Sequence, residues 1–586
     1  MQRIPVGITS FTQAKNKDLL FIDKSKELWY LVQHYKFAFL SRPRQFGKSL
    51  LLGAIKTLFS KGIEPYFKGT YIAGCNDDGS PRWDEPLYPV VSLDFSGCVN
   101  ESLDTFRQLF VAKINLIASK LDLEPIHLKR NIAQSFIEFS KKLVKKYPQG
   151  YVLLIDEYNT PLNHSIGDSI AFEKIRNELH YLYANIKQSK ISAHLRFMLV
   201  TGITHYEELS VPYFNLKDIT YDSNLATILG FTKDEILYYF KDYLKIAIEK
   251  LHHCKSEDLD NTTYQAYLDD LLKTLETYYG NYSFDEFGKK TVFSPWSVNN
   301  FFKAADLQEK VCFDDYWYDA GGLPPELEYY LKHHFKDFLK IYQNQCHLSK
   351  FTIKNPCSIH EIDFRYILLQ TGYLSLAKGS SLIDGGVLVT LPNLELRQAL
   401  TSLCLYENFG DYSLKFRIDL KKFLEQASAQ EIFDKFNEIL ATTKEHQISL
   451  ENEEQVKTLF EMFALSAGVN CYVNSPFDAN DCDTVDTKIE DYHGSILTLE
   501  YNGRTIVFRF SAVNCVDDSL QIPSDPVDKK FTSNPGKEHH KDVLFNPDGH
   551  VNKQKLFLTV VYDDTSKMLV SYKAIDTEAS MLHWNW

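Results

Sequence analysis

The stretch Tyr151-Val-Leu-Leu-Ile155 constrains this chain most, because it is apolar without interruption and ends abruptly in Asp156-Glu157. A strand with one wet face alternates polar and apolar residues. A run without alternation must be covered on both faces, as parallel strands in α/β sheets are. Residues 37–41 (FAFLS), 88–95 (YPVVSLDF) and 196–202 (RFMLVTG) have the same character. Between them lie longer stretches with helical spacing. Residues 48–60 place Leu50, Leu51, Ile55, Leu58 and Phe59 on one side, and a further helix is expected over residues 106–121. The N-terminal part is therefore predicted to be a parallel sheet with helices on both faces.

At 586 residues the chain exceeds what one core supports, so several domains are expected. Residues 231–345 read as helical and Tyr-rich, residues 345–400 as smaller mixed elements, and residues 451–467 as a helix. Strands return at 493–501, 504–511, 555–562 and 568–573, with a polar loop over 517–550 between them. The 64 basic residues against 77 acidic give a net charge of −13, which argues against a surface that coats nucleic acid broadly. The ten cysteines form no C-x-x-C pair and read as reduced thiols. Residues 1–18 lack a signal-peptide core, and no run approaches the length of a spanning helix. The expectation is a cytoplasmic protein with no membrane contact.

Chemistry concentrates in three places. The segment Arg42-Pro-Arg-Gln-Phe-Gly-Lys-Ser49, followed by Leu50, joins an apolar strand to a helix. There, backbone N–H groups and a helix N-terminus can hold phosphate. Gly47 lets the backbone approach closely, Lys48 reaches the β- and γ-phosphates, and the Ser49 hydroxyl is offered to Mg²⁺. A loop of this kind normally has a glycine where Arg42 stands. Asp156 and Glu157 supply the second place: the first acid meets the Mg²⁺ shell and the second polarises an attacking water. Thr201, closing the fourth strand, is read as a γ-phosphate sensor, with a plain turn as the alternative.

These motifs resemble the bacterial AAA-ATPase-like proteins, which pair a P-loop domain with a C-terminal fold of the PD-(D/E)XK nuclease superfamily. The resemblance rests on Phe21-Ile-Asp-Lys-Ser25, the Arg42–Ser49 loop, Ile155-Asp-Glu-Tyr-Asn159 and Thr201-Gly-Ile-Thr204. It continues through Asn215-Leu-Lys-Asp-Ile-Thr220, Leu229-Gly-Phe-Thr232, Ser294-Pro-Trp-Ser-Val298, Tyr316-Trp317, Gln370-Thr-Gly-Tyr-Leu374 and Pro392-Asn393. It implies an ASCE/AAA-like P-loop NTPase domain over residues 1–230, a mostly helical middle or lid region over 231–400, and a nuclease-like α/β domain over 401–586. ATP and Mg²⁺ are the implied ligands. Arg42, Pro43, Arg44, Gln45, Phe46, Gly47, Lys48, Ser49 and Leu50 would form the nucleotide loop, with Arg42 and Arg44 adding charge near the phosphates or contacting a neighbouring element. Ser49 and Asp156 would hold the metal and Glu157 would act as base. Two departures bear on turnover: Asn159 replaces a usual Asp, and His205 replaces a usual Lys whose charge would face phosphate.

The nuclease resemblance calls for an Asp on one strand and an acid and a Lys alternating on the next, so that the acids hold Mg²⁺. Aligned through the Asn502-Gly503 turn, these positions become Leu497, Arg509 and Ser511, which cannot build a metal site. A degenerate, inactive nuclease-like domain is expected, with Glu500 excluded as a substitute because it lies on the other face from Leu497. The histidine pairs 252–253, 333–334 and 539–540 read as solvated surface, residues 478–486 as an exposed acidic loop, and the tyrosines of 278–282 as core. The reading is a Mg²⁺-dependent ATPase or ATP-driven switch with an unknown protein partner. Its alternatives are a non-catalytic interaction protein in which nucleotide is structural or absent, and an ATP-dependent nuclease.

Overall fold

A computed structural model describes residues 1–98, 102–165, 168–187, 189–205, 216–317, 327, 331, 335–343, 346–354, 363–446, 448, 450–473, 495–501, 504–512, 554–563, 566–576 and 582–585. The chain divides into two compact units, Met1–His333 with Asn344–Ala399, and His334–Gln343 with Leu400–Trp586.

The first unit is built on five strands: β1 (Phe37–Ser41), β2 (Val90–Asp94), β3 (Tyr151–Asp156), β4 (Leu195–Gly202) and β5 (Lys217–Asp218). All pairings are parallel and the order is β2-β3-β4-β1-β5. The unbroken apolar run of β3 is buried at every position. Alternate residues Ala38, Leu40, Val152, Leu154, Phe197 and Leu199 join one core with helices Ser25–His34 and Lys48–Lys61. The intervening Phe39, Leu153, Ile155, Met198 and Val200 are equally buried, so both faces are covered, as the apolar runs require. Helix Leu103–Lys120 packs on β2 and against helices Ile132–Lys146 and Ser169–Lys187. Four of the five strands are those the sequence predicts. β5 has only two residues, both exposed, and leaves no apolar signature.

Beyond β5, helices Lys241–Leu251, Asn261–Tyr279 and Pro295–Leu307 share a second core through Ile248, Leu275, Tyr279, Phe301 and Phe302. A small antiparallel sheet, β6 (Cys346–Ser349), β7 (Ser375–Leu376) and β8 (Gly386–Thr390), completes the unit in the order β6-β8-β7. Tyr279 and Tyr282 are buried, so this tyrosine cluster is core.

The second unit holds a six-stranded mixed sheet of β9 (Asn470–Val473), β10 (Ser495–Tyr501), β11 (Arg504–Ala512), β12 (Gln554–Asp563), β13 (Met568–Asp576) and β14 (Leu582–Asn585). Only β11 and β12 pair in parallel. Helix Glu453–Ser466 covers β9, β10 and β11, and Phe436, Phe460, Phe508 and Phe510 pack together beneath it. The predicted strands agree with β10 to β13. Residues 478–486 and 517–550 and the histidine pairs 333–334 and 539–540 lie outside the described residues.

The register of β10 and β11 sets the faces of the nuclease-aligned positions. Tyr501 pairs with Arg504, which sets Leu497 opposite Phe508 and Ile496 opposite Arg509. Side chains alternate along a strand, and directly paired residues share a face. Position 497 therefore belongs with 508 and 510 on the buried face, whereas 509 and 511 belong with 496, 498 and 500. The three expected catalytic positions are not gathered on one face. Glu500 lies on the face opposite Leu497, as expected, and shares the face of 509.

Candidate functional site

In a parallel sheet, ligands bind beyond the carboxyl ends of the strands where the strand order reverses. Here β1 lies between β4 and β5 while the chain after it crosses to the sheet edge at β2. The loop after β1 thus opens at such a point. Gln45 and Gly47 both adopt positive φ, 61° and 97°, which turns the chain tightly into helix Lys48–Lys61. Gly47 is the residue for which this costs least.

Lys48 is buried, and its Nζ donates to the carbonyls of Arg42 at 3.0 Å and Pro43 at 3.1 Å. The same Nζ lies 3.5 Å from Glu157 Oε1. Ser49 Oγ donates to Asp156 Oδ2 at 2.6 Å, and Thr201 Oγ1 donates to Asp156 Oδ1 at 2.6 Å. One carboxylate at the end of β3 therefore gathers the loop serine and the β4 threonine. The structure thus brings Ser49, Asp156 and Thr201 together. Thr201 itself is fully buried and reaches the site through Asp156. Glu157, at φ 50°, and Lys48 both line a cavity of about 530 Å³ together with Arg44, Gln45, Phe46, Gly47, Ser49 and Leu50. That volume suits a mononucleotide.

Arg42 and Pro43 do not line this cavity. The Arg42 guanidinium is buried and donates to the carbonyls of Ser41, Thr220 and Leu225 at 2.9, 2.6 and 3.4 Å. It stacks 4.0 Å from the Phe284 ring centroid. Burial pulls its pKa down to about 9, with Tyr221 and Asp218 opposing, so it is charged at neutral pH. Of the two roles expected of Arg42, the structure shows contact with a neighbouring element and not the placing of charge at phosphates. Pro43 packs so closely on Gly372 that a Cβ built there would lie 2.5 Å from Pro43 Cγ. Phe46 sits among Tyr282, Phe284 and Trp317. Gln370-Thr-Gly-Tyr-Leu374 and Tyr316-Trp317 thus clamp the loop from behind.

The clamp is fastened by Glu395, in the first turn of helix Leu394–Phe409. Its fully buried carboxyl accepts from Ser297 Oγ at 2.7 Å and from the backbone N–H groups of Tyr316 and Trp317 at 2.9 Å each. Burial pushes this carboxyl well above the ordinary range, against the pull of Ser297 and the two N–H groups.

The two departures fall in different places. Asn159 lines the cavity, donates to Thr204 Oγ1 at 3.1 Å and accepts from Ile203 N at 3.3 Å. His205 does not line it: the ring lies 4.4 Å from Phe39 and its Nδ1 3.2 Å from Asp218 Oδ2, while the backbone N–H of His205 donates to Gln370 Oε1. A charge at position 205 would be directed behind the loop, because β4 carries the residue past the sheet edge into the Asp218 and Gln370 layer.

The rest of the cavity lining was not foreseen. It includes Ile8, Phe21, Leu229, Phe231, Trp296 and Asn299, with Asn163 and His164. A signal existed: Phe21–Ser25, Leu229–Thr232 and Ser294–Val298 each carry family-like motifs, and all three contribute to one cavity.

Ser49 and Asp156 offer hard oxygen ligands in contact with one another, which fits Mg²⁺. That ion takes one or two protein oxygens and completes its shell with phosphate and water. Among the described residues no group of three or more His, Cys, Asp or Glu is placed to hold a metal. Nor, among them, is any helix long and apolar enough to cross a membrane.

Residues 5–211 match the family model described as "Predicted AAA-ATPase". The match covers β1 to β4, the loop and the acids at the end of β3, so this part of the chain is similar to the AAA-ATPase-like proteins. A protein of Azotobacter chroococcum mcd 1, described as "Uncharacterized protein in vnfD 5'region", is 24% identical over 533 residues, 87% of this chain and 90% of its own length. No solved structure matches.

Proposed function

We propose that the chain binds ATP with Mg²⁺ and hydrolyses it, using the nucleotide as a switch. The contact of Ser49 with Asp156 beside Lys48 and Glu157, at the carboxyl edge of a parallel sheet, carries this reading. Lys48 exchanges its carbonyl partners for β- and γ-phosphate oxygens. Ser49 and Asp156 would hold Mg²⁺, which would supply neutralisation of charge on the phosphates. Thr201 fixes the orientation of Asp156. Glu157, released from Lys48 when phosphate takes that ammonium, accepts the proton of the attacking water. Arg42 and Phe46 hold the loop's shape from behind and touch no phosphate.

Titration of ATP and phosphate release by wild type, Lys48→Ala and Glu157→Gln test this. Binding lost in Lys48→Ala, and release lost but binding retained in Glu157→Gln, is the expected pattern. Binding without release in every variant instead supports a nucleotide-dependent interaction protein, the second reading. Asn159 favours that one, since a neutral amide engaged with Thr204 and Ile203 stands where a second carboxylate is usual.

We further propose that residues 401–586 form a nuclease-like domain without nuclease activity. The antiparallel β9-β10-β11 run joined in parallel to β12 beneath a buried helix supports the fold, and the placing of position 497 on the face opposite 509 and 511 supports the inactivity. Mg²⁺- or Mn²⁺-dependent cleavage of DNA or RNA requiring residues 495–512 would sink the proposal.

A further inference from the structure

The cavity extends from the phosphate loop to a wall of different chemistry. Ile8, Phe21, Leu229, Phe231 and Trp296 give it apolar and aromatic surface. Leu229 lies beside the loop, since a Cβ on Gly47 would meet it at 3.6 Å. Such a surface suits the flat faces of a nucleobase, and the polar groups along it decide which base.

Most of those polar groups are already engaged. Asp23 accepts from the N–H groups of Ser25 and Tyr71, and Lys24 donates to Thr227 O and Glu235. Ser25 Oγ accepts from Ile72 N, and Trp296 Nε1 donates to Tyr316 O. Asn299 differs. On helix Pro295–Leu307 the spacing i, i+3 puts Trp296 and Asn299 side by side, while Ser297, Val298, Phe301 and Phe302 face the core. Asn299 Oδ1 is closed off from solvent and meets no donor among the described residues. The neighbouring Asn300, by contrast, is tied to Trp296 O. A carboxamide turns readily about its terminal torsion and so can present oxygen and nitrogen together to a ligand edge.

We infer that Asn299 reads the base of the bound nucleotide and selects adenine. A carboxamide offers an acceptor beside a donor, which matches the amino group and adjacent ring nitrogen of adenine. Guanine presents two acceptors at the corresponding edge and calls for a cation. The inference rests on the nucleotide reading of the loop. It adds that residues 295–299, far from the loop in sequence, set its substrate.

Equilibrium titration of the full chain with Mg²⁺ and ATP, GTP or ITP tests it, because ITP differs from ATP in carrying an oxygen in place of the amino group. Wild type is expected to bind ATP at least about tenfold more tightly than ITP or GTP. Asn299→Leu should lose most of that preference while binding ITP as wild type does. Asn299→Asp, with similar volume, should lose part of it, which guards against a folding defect in the leucine variant. The wild-type ratio is a test needing no variant. ATP bound through Lys48 with no preference over ITP, or a preference unchanged in both variants, overturns the assignment of Asn299 alone. A GTP preference also overturns it and points to Lys15, whose ammonium lies 4.4 Å over the Phe21 ring. No binding of any triphosphate overturns the inference and the reading of the loop together.

Discussion

Glu395 offers a perturbation whose effect can be worked out in advance. Replacing it with alanine removes the acceptor of two backbone N–H groups, Tyr316 and Trp317, and the partner of Ser297. Ser297 keeps a second partner in Ser294 Oγ at 3.0 Å, but the two N–H groups have none in reserve. Stranding each in this interior costs about 1–3 kcal/mol, and the vacated volume adds to it, so Glu395→Ala should destabilise this region by about 3–5 kcal/mol. Glu395→Gln keeps an acceptor for both N–H groups and a donor toward Ser297, and should stay within about 1 kcal/mol of wild type. The pH dependence separates the pair further. Because the folded carboxyl titrates well above its unfolded value, its contribution is complete below the ordinary carboxylate range and is lost as pH rises through the raised value. The loss is at most about 1.4 kcal/mol per pH unit in that window, and the glutamine variant has no such term. Hydrogen exchange of the segment 313–317, compared between proteins at pH 5 and again at pH 8, reads this locally. Wild type should lose protection relative to Glu395→Gln at the higher pH. Equal exchange in the Gln and Ala variants, or the same wild-type-to-Gln difference at both pH values, would refute the reasoning.

Other outcomes follow from the same structure. Arg42→Met strands three carbonyl acceptors and should lower stability by about 2–4 kcal/mol in urea melts. Its loss of ATP affinity, corrected for folded fraction, should be much smaller than that of Lys48→Ala. Ser49→Ala removes a proposed metal ligand and should reduce the dependence of ATP affinity on Mg²⁺ and slow phosphate release by about 10²-fold or more, measured by titration with and without EDTA and by release assay. Gly372→Ala forces a Cβ into Pro43 at a residue with φ 90°, so it should cost at least about 1–3 kcal/mol and weaken nucleotide binding without touching the cavity. Isothermal titration alongside thermal melting checks that both fall together.

How far the sequence could be read depended on whether a signal was local. β1, β3 and β4 announce themselves because burial on both faces demands unbroken apolar runs. Their order does not, since nothing within Leu195–Gly202 states that it lies between β1 and β3. Lys48, Ser49, Asp156 and Glu157 are legible as strand-end chemistry. Arg42 is not, because a guanidinium looks alike in sequence whether it meets phosphate or the carbonyls of Thr220 and Leu225. The faces of the nuclease positions were not legible, for a reason specific to sheets. A shift of one residue moves a side chain to the opposite face, and only the pairing of Leu497 with Phe508 shows which face each position takes. The motifs at 21–25, 229–232 and 294–298 were visible as strings, yet their convergence on one cavity is a tertiary fact.

The position of β4 has a consequence for how the molecule is made. Ser49 opens the helix that follows β1 and Asp156 ends β3; those two strands do not hydrogen-bond to each other, and β4, which separates them, is synthesised after both. A growing chain thus carries the loop and its acids before the spacer that sets their distance exists. Inserting a strand between two others is a long-range event, slow compared with forming a helix. The site consequently cannot be complete before β4 is in place, and a ligand bound there would stabilise only chains that have completed that step.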